Sequence, residues 1–130
     1  MVRRSAGAIA SALVALCVFG YLAVAPEYYR IRWLRGDASD ETFLRKAYSL
    51  GAFFVCGVLL ARAQRSLGFT PTIAAASAFV ALFSAAIEVA QHVAGSRESY
   101  LSNAVDIAFG AVGGALGAWL ERALPTSYRR

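Results

Sequence analysis

Hydrophobic residues are gathered in four long runs, and most charged residues lie in the shorter stretches between them. The runs cover about residues 6–25, 44–63, 70–93 and 101–120. A helix rises about 1.5 Å per residue, so about 20 residues cross a hydrocarbon core of about 30 Å. No run alternates with a period of two for long enough to predict a barrel strand. The pattern therefore predicts an all-α integral membrane bundle of four transmembrane helices, in which residues 1–130 form a single domain.

The first run has an alternative interpretation as a secretory signal peptide. Arg3 and Arg4 precede it, and Ala-Val-Ala at residues 23–25 resembles a cleavage site. However, Pro26 would follow the cut directly, and the 20 uncharged residues exceed the core of a typical signal peptide. We therefore favour a membrane span that is retained in the mature protein.

Composition and charge agree with a membrane protein. Hydrophobic residues make up 58% of the chain and charged residues only 16%, against about 25% charged in a soluble domain. The formal net charge is +5, but the arginines flank the apolar runs and no nucleic-acid-binding motif is present. Anionic headgroups are the expected contacts of such arginines. Membrane lipid is therefore the predicted partner, and nucleic acid is not.

The connectors and helix ends carry further predictions. The connector around residues 62–68 is short, so the second and third helices are expected to be antiparallel neighbours. Pro71 suits the first turn of the third helix, and Asn103 or Ser102 suits the N-cap of the fourth. Four spans place both termini on one side of the cell membrane, with seven basic residues there and six on the other side. This small excess favours a multi-pass protein with cytoplasmic termini.

Polar residues that membrane helices normally avoid lie near the connector between the third and fourth runs. Glu88, Gln91 and His92 are three and four positions apart, which places them on one helical face. Asn103 and Asp106 open the fourth run. A charge within a span costs on the order of 2.5–3.5 kcal/mol, so such residues tend to face protein or water and to have a partner.

These residues form a candidate binding site, which we call the polar cluster. Arg97 lies between the two carboxylates in sequence and is predicted to pair with either of them or with a lipid phosphate. A structural interpretation remains open, in which ion pairs and caps simply tie the two helices together. The chain has one histidine, so we predict no metal site and no cofactor. The members of the polar cluster are Glu88, Gln91, Arg97, Asn103 and Asp106.

The fourth run contains two overlapping GxxxG pairs. Gly110 and Gly114 form one pair, and Gly113 and Gly117 form the other. Small residues at this spacing let helix backbones approach closely. The partner is either the third helix, which is rich in alanine, or the same face of a second copy in a homo-oligomer.

The polar cluster and the glycines together resemble the VanZ-like family of small integral membrane proteins. The segments that carry the resemblance are residues 87–91, 95–97 and 103–114, within about residues 84–118. The pattern is Glu-x-x-Gln at the end of the third span, an arginine in the loop, and a glycine-rich fourth span. The residues that match it are Glu88, Gln91, Arg97, Gly110 and Gly114.

Two positions depart from this family pattern. Asn103 stands where the family usually has its aspartate, and Asp106 lies beside the usual asparagine position, which Ile107 occupies. The Asp-Lys pair and the histidine that the family often has before the second span are poorly matched by Asp40, Arg45, Lys46 and Tyr48. The resemblance implies a four-span protein of a family named for low-level resistance to the glycopeptide teicoplanin.

Three functions follow from these patterns. The first is binding of a lipid headgroup or an amphiphilic antibiotic at the outer membrane face, with Arg97 as the anion contact and Glu88 and Gln91 positioning the ligand. The second is an enzyme on a lipid-linked precursor, with Glu88 and Asp106 as general acid and base. The sequence supplies no nucleophile elbow or phosphate loop for it. The third is a structural subunit that dimerises through the glycines of the fourth span.

Overall fold

The computed structural model describes residues 2–25, 38–95 and 99–124, so Arg97 and most of the first connector lie outside the described residues. Within these ranges the chain is all-helical, and four helices are long and apolar enough to cross a membrane. This confirms the predicted fold class and indicates a multi-pass membrane protein. The helices are α1 (Val2–Val24), α2 (Ala38–Ser66), α3 (Ile73–Val93) and α4 (Tyr100–Ala123).

Two predicted helix starts are wrong by two to four residues. Thr72 is the N-cap of α3, since its side chain accepts a hydrogen bond from the amide of Ala75 at 3.1 Å. Pro71 therefore precedes the cap rather than lying in the first turn. At α4 the N-cap is Ser99, which accepts from the amide of Ser102 at 3.2 Å. Ser99 is the last position with extended backbone, so Ser102 and Asn103 already lie inside the helix.

The central helix of the bundle is α4, which packs extensively against both α2 and α3. Its contact with α3 uses Gly110 and Gly114. A Cβ atom built on Gly110 would lie 2.8 Å from the Cβ of Ser84, and one on Gly114 would lie 2.9 Å from the carbonyl oxygen of Ala76. These glycines let α3 and α4 approach closely, and Ser84 donates a hydrogen bond to the carbonyl of Asp106 across the interface.

The other pair of glycines faces α2. A Cβ atom on Gly113 would lie 2.7 Å from the Cβ of Phe53, and one on Gly117 would lie 2.2 Å from the carbonyl oxygen of Phe54. Gly57 of α2 also lies directly against α4, because a Cβ atom built on it would lie 2.5 Å from the carbonyl oxygen of Gly114. All four glycines of α4 are thus covered within one chain, so self-association would need another surface.

The second and third helices, expected to be antiparallel neighbours, contact each other over only part of their length. The second and third helices contact each other far less than either contacts α4, although they share the small-residue cluster of Ala61, Ala76 and Ala118 beside their connector. The most extensive helix contact among the described residues is instead that between α2 and α4. A short connector places two helix ends together, but side-chain size decides which helices pack along their length.

The first helix lies at the edge of the bundle. It packs mainly against α2 and exposes much of its apolar surface, including Val14 and Tyr21. Two hydrogen bonds link its ends to the other helices. Ser5 donates to the carbonyl of Ser66 at 2.9 Å, and the amide of Gln91 donates to the carbonyl of Ala23 at 2.8 Å.

An ionic cluster closes the end of the bundle that holds the α2–α3 connector. Glu121 of α4 has a side chain only 5% exposed. It accepts a hydrogen bond from Nε of Arg62 at 2.9 Å and lies 3.8 Å from Nη1 of Arg65. This cluster joins α2 to α4 at the end opposite the polar cluster.

Candidate functional site

The aspartate of the polar cluster forms an ion pair with α2. Asp106 Oδ2 lies 2.5 Å from Nζ of Lys46, and both side chains are largely buried, with 12% and 14% of their surface exposed. The same ammonium group donates to the hydroxyl and the carbonyl of Ser102, at 3.1 and 3.3 Å. Lys46 thus donates hydrogen bonds to three oxygens in the first turns of α4. There it neutralises a carboxylate that lipid would not solvate.

Lys46 is a site residue that the sequence interpretation missed, because it was considered only as a poor match to the Asp-Lys pair of the VanZ-like family. The predicted partner, Arg97, lies outside the described residues. The signal that was available is topological. Lys46 begins the apolar part of α2, so it lies at the same membrane end as Asp106, where an ammonium and a carboxylate at similar depth favour pairing.

The second carboxylate lies on α3 and contacts the amide of Asn103. In the amide orientation that suits its neighbours, Asn103 Nδ2 donates to Glu88 Oε2 at 2.9 Å and to the carbonyl of Ser99 at 3.2 Å. Asn103 therefore links the last turns of α3 to the N-terminal turn of α4. The two carboxylates of the polar cluster thus have different partners among the described residues, an amide for Glu88 and an ammonium for Asp106.

The remaining members of the predicted helical face point in different directions. Gln91 reaches the end of α1, where it donates to the carbonyl of Ala23. His92 is exposed and lies in the last turn of α3. Among the described residues, no group of three or more histidine, cysteine, aspartate and glutamate side chains is placed to hold a metal ion.

A pocket of about 390 Å³ lies beside these polar groups. All four helices contribute to its wall, and its volume is within the roughly 300–1,000 Å³ range of small-molecule sites. The polar part of the lining includes Glu88, Gln91 and Asp106, and the apolar part includes Phe19 and Phe53. The residues that line it are Phe19, Leu22, Ala23, Ala47, Tyr48, Ser49, Gly51, Ala52, Phe53, Val55, Ser84, Ile87, Glu88, Gln91 and Asp106.

The arrangement suits binding of an amphiphilic molecule. Three members of the polar cluster line the pocket at the connector end, and most of the other lining side chains are apolar. Acid–base catalysis would need a carboxylic group within hydrogen-bond reach of the reacting proton. Asp106 is engaged by Lys46, while Glu88 lines the pocket and accepts a hydrogen bond from Asn103.

Comparison with other proteins adds no family assignment, since no known protein family, curated protein or solved structure matches this chain. The VanZ-like resemblance therefore stays a prediction from the sequence.

Proposed function

We propose that this chain is a VanZ-like protein of the cell envelope that binds an amphiphilic molecule at one end of its helix bundle. The ligand class is a lipid headgroup, a lipid-linked precursor or a glycopeptide antibiotic of the teicoplanin type. Binding of the last would confer low-level tolerance on the host. The observation that carries the proposal is the pocket, which combines an apolar wall with polar groups of Glu88, Gln91 and Asp106.

The pocket favours binding over a purely structural role for the polar cluster. If the hydrogen bonds and the ion pair of the polar cluster served only to hold the helices together, a space of about 390 Å³ beside them would add no stability. Empty volume within a bundle forfeits packing contacts, and a bound amphiphile would restore them. The pocket lies where three helices bring polar side chains together, which is the usual composition of a ligand site.

The size of the pocket sets what part of a ligand it holds. A volume of about 390 Å³ is near the low end for drug-sized molecules. A whole glycopeptide antibiotic is larger than a drug-sized molecule, so the pocket would hold only its apolar chain or one polar group. Arg97 remains the sequence-based candidate for an anion contact outside the pocket.

We further propose that the termini are cytoplasmic and that the pocket opens near the outer membrane face. The support is the excess of seven basic residues over six on the side of the termini. Reporter fusions at the C-terminus and in the α3–α4 connector measure this directly. A cytoplasmic signal from the connector and an external signal from the C-terminus would reverse the assignment.

The functional test is antibiotic tolerance in a susceptible host. Wild type, Glu88→Gln and Arg97→Ala are expressed at equal membrane abundance, and the minimum inhibitory concentration of teicoplanin is measured. We expect the minimum inhibitory concentration to be higher with wild type than with the empty vector. With either variant it should fall from the wild-type value toward that of the empty vector. Glu88→Gln keeps the side-chain shape but removes the charge that faces the pocket.

The matched control is His92→Gln, because His92 lies one turn further along α3 but is exposed and does not line the pocket. This variant should keep the wild-type tolerance. If wild type and the empty vector give the same minimum inhibitory concentration of teicoplanin, the antibiotic part of the proposal is contradicted. If Glu88→Gln and His92→Gln lose tolerance equally, the pocket does not account for the tolerance.

A further inference from the structure

The ionic cluster at the opposite end of the bundle indicates a second binding site, and this inference does not rest on the function proposed above. We propose that the ionic cluster binds the phosphate of an anionic phospholipid in the leaflet on the side of the α2–α3 connector. Arg62 is the residue that contacts the phosphate. Three observations support this, namely the charge of the cluster, the hydrogen bonding of Arg62 and the position of the cluster along the helices.

The ionic cluster has more positive than negative charge. Two guanidinium groups share the carboxylate of Glu121, since Nε of Arg62 lies 2.9 Å from Oε2 and Nη1 of Arg65 lies 3.8 Å from Oε1. Arginine stays protonated in proteins, so one positive charge is left uncompensated among these three side chains. The ion pair of Lys46 and Asp106 at the other end is neutral and leaves no such charge.

Arg62 is oriented by the cluster and still has donors for a ligand. It donates to Glu121 through Nε, and its side chain is 53% exposed. A guanidinium group has five N–H donors in a planar fork, so four donors remain on its two terminal nitrogens. The hydrogen bond through Nε fixes the plane of this fork, which is the group that recognises phosphate with two parallel bonds. Arg65 lies three residues further along the same helical face and adds its charge beside the fork.

The ionic cluster lies close to the depth of lipid head groups. The apolar segment of α2 ends at Ser66, so the Cα atom of Arg62 lies about 6 Å inside this end at about 1.5 Å per residue. A long arginine side chain covers this distance by extending toward the interface. The connector then exposes Leu67 and Phe69, at 54% and 65%. Aromatic side chains at a span end favour the membrane interface, so this surface faces lipid and not only bulk water.

The uncompensated charge favours an anionic lipid over a zwitterionic one. Both kinds carry a phosphate, but in phosphatidylcholine the choline group cancels its charge. One basic residue near the membrane surface strengthens binding to anionic lipid by about fivefold. We therefore expect phosphatidylglycerol to bind about fivefold more tightly than phosphatidylcholine. A preference of this size lets the lipid exchange with the bilayer and lets detergent remove it, so the measurement is made in vesicles.

Fluorescence quenching by brominated lipids measures this preference. The reporter is a single tryptophan beside the ionic cluster, made by Phe69→Trp together with Trp33→Phe and Trp119→Phe. Phe69 is close to the cluster in the chain, since its amide donates to the carbonyl of Gln64 at 3.0 Å. The protein is placed in vesicles of both lipids, and quenching is compared when either phosphatidylglycerol or phosphatidylcholine carries bromine. The ratio of the two association constants is the lipid preference.

The matched pair of variants is Arg62→Gln and Arg122→Gln, both made in the reporter protein. Each removes one positive charge from an exposed side chain at this end of the bundle, but Arg122 is not a member of the ionic cluster. Arg62→Gln should lower the lipid preference from about fivefold to about one, and Arg122→Gln should keep most of it. If Arg62→Gln does not fold, combining it with Glu121→Gln removes the carboxylate that has lost a partner, and the same value is expected.

Three results would overturn the proposal. If both lipids quench the reporter protein equally, the cluster does not select an anionic lipid. If Arg62→Gln and Arg122→Gln lower the preference by the same factor, the attraction comes from the general charge of this end and not from a site at Arg62. If sodium phosphate abolishes the preference but sodium chloride of equal ionic strength does not, the site binds soluble phosphate and not a lipid.

Discussion

Replacing Gly117 with alanine tests whether α2 and α4 meet backbone to backbone. A Cβ atom on Gly117 would lie 2.2 Å from the carbonyl oxygen of Phe54 and 2.7 Å from the amide nitrogen of Val58. Ordinary van der Waals contact of a Cβ atom begins at 3.4 Å, so alanine forces the two helices about 1.2 Å apart. Both neighbouring atoms belong to the backbone, and no side-chain rotation relieves the overlap.

The expected effect is a lower free energy of unfolding. Overpacking of this kind costs about 1–3 kcal/mol, and the better helix propensity of alanine offsets up to about 1 kcal/mol of it. The net loss for Gly117→Ala is therefore between about 0 and 3 kcal/mol, and its difference from a glycine-to-alanine control without overpacking is about 1–3 kcal/mol. Gly7→Ala is the matched control, because its Cβ atom meets nothing within 4 Å. In Gly7→Ala the only expected effect is the better helix propensity of alanine. This variant should therefore be as stable as wild type or more stable.

The assay is titration with sodium dodecyl sulfate of the purified proteins in mild detergent. Far-ultraviolet circular dichroism follows the loss of helix, and the transition midpoints are compared. The Gly117→Ala midpoint should lie at a lower fraction of sodium dodecyl sulfate than those of wild type and Gly7→Ala. If Gly117→Ala unfolds at the same fraction as Gly7→Ala, the close contact between α2 and α4 is refuted.

Two further predictions use the same titration. Lys46→Met leaves Asp106 buried without its ammonium partner, so the free energy of unfolding should fall by about 3–5 kcal/mol, and adding Asp106→Leu should recover most of this loss. A loss below about 1 kcal/mol would contradict a buried ion pair. Ser77→Ala removes the hydrogen bond that Ser77 donates to the carbonyl of Ala111 at 2.9 Å, and interhelical bonds of this kind contribute about 0.6 kcal/mol on average. A loss above about 2 kcal/mol would show that the serine does more than donate this bond.

The positions of the helices were predictable because the signal is local. Each span must contain about 20 apolar residues in a row, and the four helices coincide with the four runs. The ends were less predictable, because a cap depends on one side chain and several neighbouring residues are able to supply it. Ser99, the N-cap of α4, differs little in chemistry from Ser102 and Asn103, which were expected in its place.

The partners of the helices were only partly predictable. The two GxxxG pairs of α4 are offset by three residues, which turns their faces about 60° apart. One pair therefore faces α3 and the other faces α2, through contacts such as Gly114 with Ala76 and Gly117 with Phe54. The spacing indicates close approach, but it does not identify the helix that approaches. That choice depends on the complementary small residue, which on α2 is Gly57.

The candidate site was the least predictable part. Glu88 and Asp106 stand out because charges in membrane spans are costly. Lys46 is separated from Asp106 by 60 residues, and a basic residue at the edge of a span is common. The pocket itself arises from how α1 packs against the other helices, so no run of residues indicates it.

The most direct test of the central claim is native mass spectrometry of the protein released from the membranes of its host. If the pocket is a ligand site, wild type and Gly7→Leu should each carry one bound amphiphile that survives purification, and extraction should identify it. Gly51→Leu, which adds a side chain at the lining of the pocket where a Cβ atom meets no atom within 4 Å, should carry none. The same adduct on all three proteins, or on none of them, would contradict the assignment of this pocket as the functional site.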